Sequence, residues 1–266
     1  MKSNFQRFID KLRGKKEKPH SVHNLVKCGF QYKHNIWRHS SGLQFYHSKG
    51  IEFILHEIFI EKCYDFDCKA QCIVFDFGMN RAIAALYFAQ KNNVVKVFGY
   101  EPFLPTYEMA MASLKLNPDF SGKVETFSIG LSNKNEVQNI KFNEQFTGLM
   151  STNNVSHNLE YGDKCTLQKV ELRRASEIVR PIMEQHEGFR VVLKIDTEGS
   201  EFDILQDLDD AELLGRIDVV MLEYHFKAPD EIEDRLRKNG FTILVSKMDN
   251  ENDSIGIINA IKSDLC

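Results

Sequence analysis

The chain has 266 residues, 42 % apolar and 27 % charged, which allows one α/β domain with a full core plus an N-terminal elaboration and excludes a disordered or fibrous protein. A formal net charge of −4 argues against nucleic acid as a partner. No segment is apolar for long enough to span a bilayer, since the best run, Ile51 to Ile60, is broken by Glu52, His56 and Glu57.

The charge is unevenly placed. Residues 1–18 carry seven Lys/Arg against Asp10 and Glu17, a surplus of +5, so the remainder stands at −9. Phe5, Phe8, Ile9 and Leu12 fall at helical spacing there and predict a short basic amphipathic helix. It lacks the apolar stretch and cleavage site of a signal peptide, so the expected compartment is the cytoplasm. Six cysteines without a disulfide framework agree with a reducing environment. Residues 21–50 alternate irregularly around Gly29, Gly42 and Gly50 and predict short strands and turns. Residues 51–62 predict a helix with Ile51, Ile54, Leu55, Ile58 and Phe59 on one face. Cys63, Cys68 and Cys72 lie close together, but no CxxC or HxxxH pair is present, and no metal is assigned.

From residue 72 the pattern changes to strands alternating with helices, the mark of βαβ units and a parallel sheet. Residues 1–71 therefore read as an N-terminal extension and 72–266 as the main domain. Strands are expected at 72–77, 96–100, 124–129, 191–195, 218–225, 241–245 and 254–261. Helices are expected at 82–91, 105–117, 175–185, 201–208 and 229–239. Pro105 and Pro229 suit a first helical turn, and Gly240 suits the residue that ends one. The polar turn at 248–253 is too short for a crossover, so the last two strands should pair antiparallel. Residues 133–172 interrupt the alternation and read as an insertion over the carboxyl edge of the sheet.

In such a sheet, ligands bind beyond the carboxyl ends of the strands. The first strand of the domain ends Asp76-Phe77-Gly78-Met79-Asn80, a glycine turn into a helix N-terminus. The second ends Tyr100-Glu101-Pro102, where a carboxylate is placed to accept from ribose hydroxyls. Nicotinamide-dependent enzymes share both features. The fourth ends Lys194-Ile195-Asp196-Thr197-Glu198-Gly199-Ser200-Glu201, a run of carboxylates at a strand-to-helix turn that has no role in such enzymes.

These three segments, in this order and spacing, resemble the FkbM family of S-adenosylmethionine-dependent methyltransferases over about residues 51–261. The resemblance implies a doubly wound, Rossmann-like seven-stranded methyltransferase sheet with a C-terminal antiparallel hairpin. It implies S-adenosylmethionine as cofactor and S-adenosylhomocysteine as product. Asp76, Phe77, Gly78 and Asn80 would line the methionine part, with Asp196 beside them. Glu101, followed by Pro102, would hold the ribose, and Ser128, Ile129 and Gly130 would lie near adenine. The expected acceptor is a hydroxyl on a sugar, glycan or secondary metabolite. Two departures stand out: Ala82, after Arg81, occupies a usual glycine position, and residues 172–178 lack the Leu-Asp pair common before that helix.

Methyl transfer needs an aligned acceptor and a group to take its proton. Glu223 and His225, two apart, share a face at the end of the fifth strand, next to Asp196 and Glu198. His225 or Asp196 is the candidate base, with Glu198 and Glu223 orienting acceptor hydroxyls. His225 reads equally as a strand-end cap, and the acidic cluster offers hard oxygen ligands that a divalent metal would favour, although the resemblance requires none. The alternative from another class is a non-catalytic adenosyl-binding or interaction protein. Thr147, Asn153, Asn154 and His157 in the insertion are expected to face the acceptor.

The N-terminal stripe either lies on an anionic membrane or packs on the body or a second subunit of a homo-oligomer. Liposome flotation separates these readings. A membrane helix requires binding to anionic vesicles that weakens with salt and disappears when residues 1–18 are removed. Full-length protein that stays soluble at low ionic strength rules it out.

Overall fold

Residues 20–143, 165–248 and 255–263 are described by the computed structural model. The expected helix around Phe5 to Leu12, the acceptor-facing Thr147, Asn153, Asn154 and His157, and the turn at 249–253 lie outside them. Helix α1 (His20–Lys27) leads into a three-stranded antiparallel sheet of β1 (Phe30–Lys33), β2 (Ile36–His39) and β3 (Gln44–Tyr46). Phe30, Trp37 and Phe45 are buried, and Trp37 Nε1 donates to Glu52 Oε1 at 3.2 Å. Helix α2 (Ile51–His56) does not continue unchanged to residue 62. It widens into a π turn over Glu57–Glu61 and stops at Lys62 in the left-handed conformation. The widened turn keeps Ile58 and Phe59 both buried, and Phe59 packs edge-on against Phe30 at 4.9 Å and Tyr87 at 5.2 Å.

The main domain then runs through β4 (Cys72–Phe77), α3 (Ile83–Ala89), β5 (Val94–Tyr100), α4 (Leu104–Leu116), α5 (Pro118–Ser121) and β6 (Val124–Phe127). It continues with β7 (Gly130–Ser132), β8 (Glu136–Phe142), β9 (Thr166–Arg174), α6 (Ala175–Gln185) and β10 (Arg190–Ile195). Helix α7 (Glu201–Asp210), β11 (Val219–His225), α8 (Asp230–Lys238), β12 (Phe241–Met248) and β13 (Ile255–Lys262) follow. The seven-stranded sheet has the order β12-β13-β11-β10-β4-β5-β6. Its pairs are parallel except where β13 enters antiparallel between β11 and β12. This is the doubly wound, Rossmann-like sheet with its terminal hairpin. All six residues of β4 are buried, because helices and the N-terminal layer cover both faces of the central strand.

Strand β6 ends at Phe127, two residues earlier than its apolar run suggests. The chain leaves the main sheet because Gly130 opens β7, which pairs with β9 in a second sheet of order β7-β9-β8. A Cβ at Gly130 would stand 2.5 Å from Leu172 Cδ2 and 3.1 Å from Pro102 Cβ, so a side chain there would push Leu172 aside. Phe103, Ile140, Phe142, Val170 and Leu172 form the small core of this sheet beside the end of β5. Helix α6, which lacks an aspartate before it, has its Ser176 N–H capped by Asp207 Oδ2 of α7 at 2.7 Å. One buried cluster includes Leu25, Trp37 and Phe59 together with Val74, Leu86 and Met221, so the N-terminal layer and the sheet share a core.

Asn117 fastens the two. Its Oδ1 accepts from Gln44 N–H at 2.7 Å, and its Nδ2 donates to Gln44 O at 2.7 Å and Ser113 O at 2.8 Å. The side chain thus stands in for a neighbouring strand at the edge of β3. Asn117→Ala should lower stability by about 2–3 kcal/mol, because three hydrogen bonds to three backbone groups are lost. Urea unfolding measures this as an earlier midpoint at unchanged slope.

Candidate active site

The strand order reverses between β4 and β10, and open α/β sheets bind ligands beyond the strand ends at such a point. The register sets Asp76 opposite Lys194 and Phe77 opposite Ile195. Gly78 follows with φ +77°, and a Cβ there would lie 1.7 Å from the Asp196 carbonyl oxygen. The position therefore admits only glycine, for the sake of the neighbouring strand end. Gly78 and Met79 N–H both donate to Tyr100 O, at 3.1 and 2.9 Å, pinning the loop to the end of β5. Ala82, in the usual glycine position, takes the left-handed conformation at φ 61° and is fully buried, so the turn keeps a glycine-like shape. Arg81 reaches back into the N-terminal layer, donating to Ser48 Oγ at 2.7 Å and Lys49 O at 3.3 Å.

The groups on the β4 and β5 side are deeply placed. Asp76 is wholly buried, 3.0 Å from Lys194 Nζ, and burial raises its carboxyl against the pull of that ammonium. Asp76 Oδ1 is paired with that ammonium, and the buried Asn80 Oδ1 takes no hydrogen bond. Glu101 is buried, and burial pushes its carboxyl up to about 7 against two amide hydrogen bonds. These come from Phe103 N–H to Oε1 and Asn80 N–H to Oε2, each at 3.0 Å, so each oxygen keeps a lone pair. Pro102 packs beside Gly130; Ser128 is exposed at the end of β6, and Ile129 is half-buried. The Ile129 side chain lines a cavity of about 440 Å³ with Tyr100, Phe127, Ile178 and Ile182, between the sheet and α6.

On the other side, the structure brings Asp196, Glu198, Glu223 and His225 together. His225 Nε2 lies 3.5 Å from Glu198 Oε2 and 3.7 Å from Glu223 Oε1. Its Nδ1 lies 3.1 Å from Glu201 Oε1. Burial alone would lower the imidazole's pKa, but Glu198 and Glu201 more than offset this and hold it well above the ordinary value. Burial raises the Glu198 carboxyl, with repulsion from Asp196 and Glu223 adding to it against attraction by His225. Asp196 is more open, with 29 % of its side chain exposed.

Three members of this site are not evident from the motifs. Lys194 and Glu201 lie within the fourth-strand run, but only the fold shows the ammonium under Asp76 and the carboxylate under His225. Tyr64 gives no sequence signal at all. It arrives from the N-terminal layer, buried, and its hydroxyl donates to Asp196 Oδ2 at 3.2 Å.

A family model, the methyltransferase FkbM domain, matches residues 76–243. The methyltransferase sdnD of Sordaria araneosa is 27 % identical over 247 residues, covering 84 % of this chain and 95 % of that protein. The AMB antimetabolite synthetase AmbE of Pseudomonas aeruginosa is 24 % identical over 235 residues, 73 % of this chain; the chain spans 11 % of that protein's length. A crystal structure of methyltransferase FkbM from Methylobacillus flagellatus aligns at 13 % identity with a TM-score of 0.47, over 77 % of this chain and 47 % of its own. Because the family match spans most of the sheet and the strand ends at which the site is built, this chain belongs to the FkbM methyltransferase family.

Proposed function

We propose that this methyltransferase moves a methyl group from S-adenosylmethionine to a hydroxyl oxygen of a small-molecule or glycan acceptor. The observation that carries this reading is the contact at Gly78, which seats the loop bearing Asn80 directly against the acidic cluster led by Asp196. The residues fit the cofactor. Glu101 keeps lone pairs for two ribose hydroxyls, and Asp76 and Asn80 offer buried oxygens to a methionine ammonium. Ser128, Ile129 and Gly130 close the end of β6, on the adenine side. When bound, the cofactor supplies an electrophilic methyl group on a sulfonium.

The chain's own part is to align the acceptor and take its proton. His225 is 2 % exposed, with Nδ1 committed to Glu201 and carboxylates around Nε2. That setting favours the carboxylates over the imidazole for proton uptake. Asp196 and Glu223, the more exposed of these carboxylates, would receive the hydroxyl proton, while Glu198 helps orient the acceptor.

Glu101→Ala should weaken S-adenosylhomocysteine binding by about 1–3 kcal/mol, measured by calorimetry on protein shown to be folded. The native protein should also bind more tightly as pH rises through about 7, where Glu101 ionises and becomes a full acceptor. Below that point affinity should fall about tenfold per pH unit. The alanine variant should lose this dependence. Unchanged affinity in the variant, at every pH, would remove Glu101 from the cofactor site.

Asp196→Asn should lower methyl transfer about a hundredfold or more while leaving S-adenosylhomocysteine affinity nearly intact. A mass-spectrometric assay over a panel of hydroxylated acceptors measures this. Cofactor binding without transfer to any of them would favour the non-catalytic alternative.

A further inference from the structure

The surroundings of His225 hold more than a proton relay requires. The imidazole is 2 % exposed, and its Nδ1 meets Glu201 Oε1 at 3.1 Å. Glu201 is itself fixed, because the same oxygen accepts from Thr197 N–H and Gly199 N–H at 3.0 Å and from Thr197 Oγ1 at 3.2 Å. A carboxylate held in this way claims the Nδ1 proton, orients the ring and points Nε2 outward into the cluster. Nε2 faces Glu198 and Glu223 at 3.5 and 3.7 Å. Both distances exceed the ~2.7–3.2 Å of an N–H···O hydrogen bond, so this buried nitrogen is aimed into the cluster without one.

Asp196 completes the arrangement. One donor atom each from Asp196, Glu198 and His225 lies within 4.8 Å of the others. Neighbouring donors on one ion, each bonded at about 2.1 Å, stand about 3–3.5 Å apart, so binding requires the side chains to draw inward by about 1 Å.

We propose that Asp196, Glu198 and His225 bind one divalent metal ion, with Glu201 as the positioning residue that orients His225. Two carboxylates and an imidazole form a mixed oxygen and nitrogen set, which suits a first-row ion such as manganese or zinc better than calcium. Binding displaces the proton that the carboxylates otherwise hold on Nε2. The ion's remaining positions are open to water and to an acceptor hydroxyl, which becomes more acidic when coordinated. The O–H bond then breaks with its electron pair staying on oxygen, and, with Asp196 occupied by the ion, the proton passes to Glu223, which is not a ligand. A protonated amine is the other cation that the carboxylates attract, but it has no need of an imidazole oriented from behind.

The test is titration of full-length, chelator-dialysed protein with Mn²⁺, following loss of the free-ion signal by electron paramagnetic resonance. The expected result is saturation at one ion per chain. Glu198→Gln and His225→Ala should each weaken binding at least about tenfold, and Glu201→Gln about 10–100-fold, with folding checked by thermal melting. Glu198→Gln, at a partly exposed position, keeps the test decisive if a variant at a buried position fails to fold. No saturable uptake by the folded native chain overturns the proposal, as does uptake unchanged in Glu198→Gln and Asp196→Asn. S-adenosylhomocysteine calorimetry on the same preparation separates the two readings, because cofactor binding without Mn²⁺ uptake overturns the metal site alone.

Discussion

The buried ammonium of Lys194 is the contact around which the site is assembled. Its Nζ lies 2.7 Å from Gly78 O, 3.4 Å from Phe77 O and 3.0 Å from Asp76 Oδ1, with Asp196 Oδ2 at 3.8 Å. Burial opposes that charge, but Asp76 and Asp196 more than offset it and hold the group above its ordinary value. Breaking a buried pair of this kind by removing one partner typically costs about 3–5 kcal/mol, because the other charge is stranded. Here the stranded charge would be Asp76, wholly enclosed at the end of the central strand. The same ammonium fixes where the loop after β4 leaves the sheet, and so where Asn80 and Glu101 meet.

Much of the fold was legible because its signals are local. Cys72–Phe77 is an unbroken apolar run in a strand covered on both faces, and Ala175–Gln185 has the periodicity and bounds of the observed α6. What failed to read was set by distant partners. Strand β6 stops at Phe127, and the chain beyond it pairs through β7 with β9, more than forty residues on. The π turn at Glu57–Glu61 answers to packing against Phe30 and Tyr87, which its own sequence does not encode. The site divides in the same way. Asp76, Glu101 and Asp196 sit at strand ends and follow from topology, whereas Tyr64 depends on the path of the N-terminal layer.

That layer is more than a cover. It touches the site through Tyr64 on Asp196 and through Arg81 on Ser48 and Lys49. It is tied to the far side of the sheet as well, where Asn259 Nδ2 donates to Cys63 O at 3.2 Å, next to Tyr64. Movement of the layer would therefore be felt at Asp196 of the candidate site, through one tyrosine hydroxyl.

The place of β13 has a consequence for synthesis. It lies between β11 and β12, yet it follows both in the chain. Until it emerges from the ribosome, β11 and β12 each keep an open edge with unpaired backbone groups, which invites pairing with another chain. Glu223 and His225 stand on the strand left waiting. A nascent chain therefore cannot assemble this candidate site early, and its period of greatest exposure to misassembly falls when β12 is out and β13 is still inside the exit tunnel.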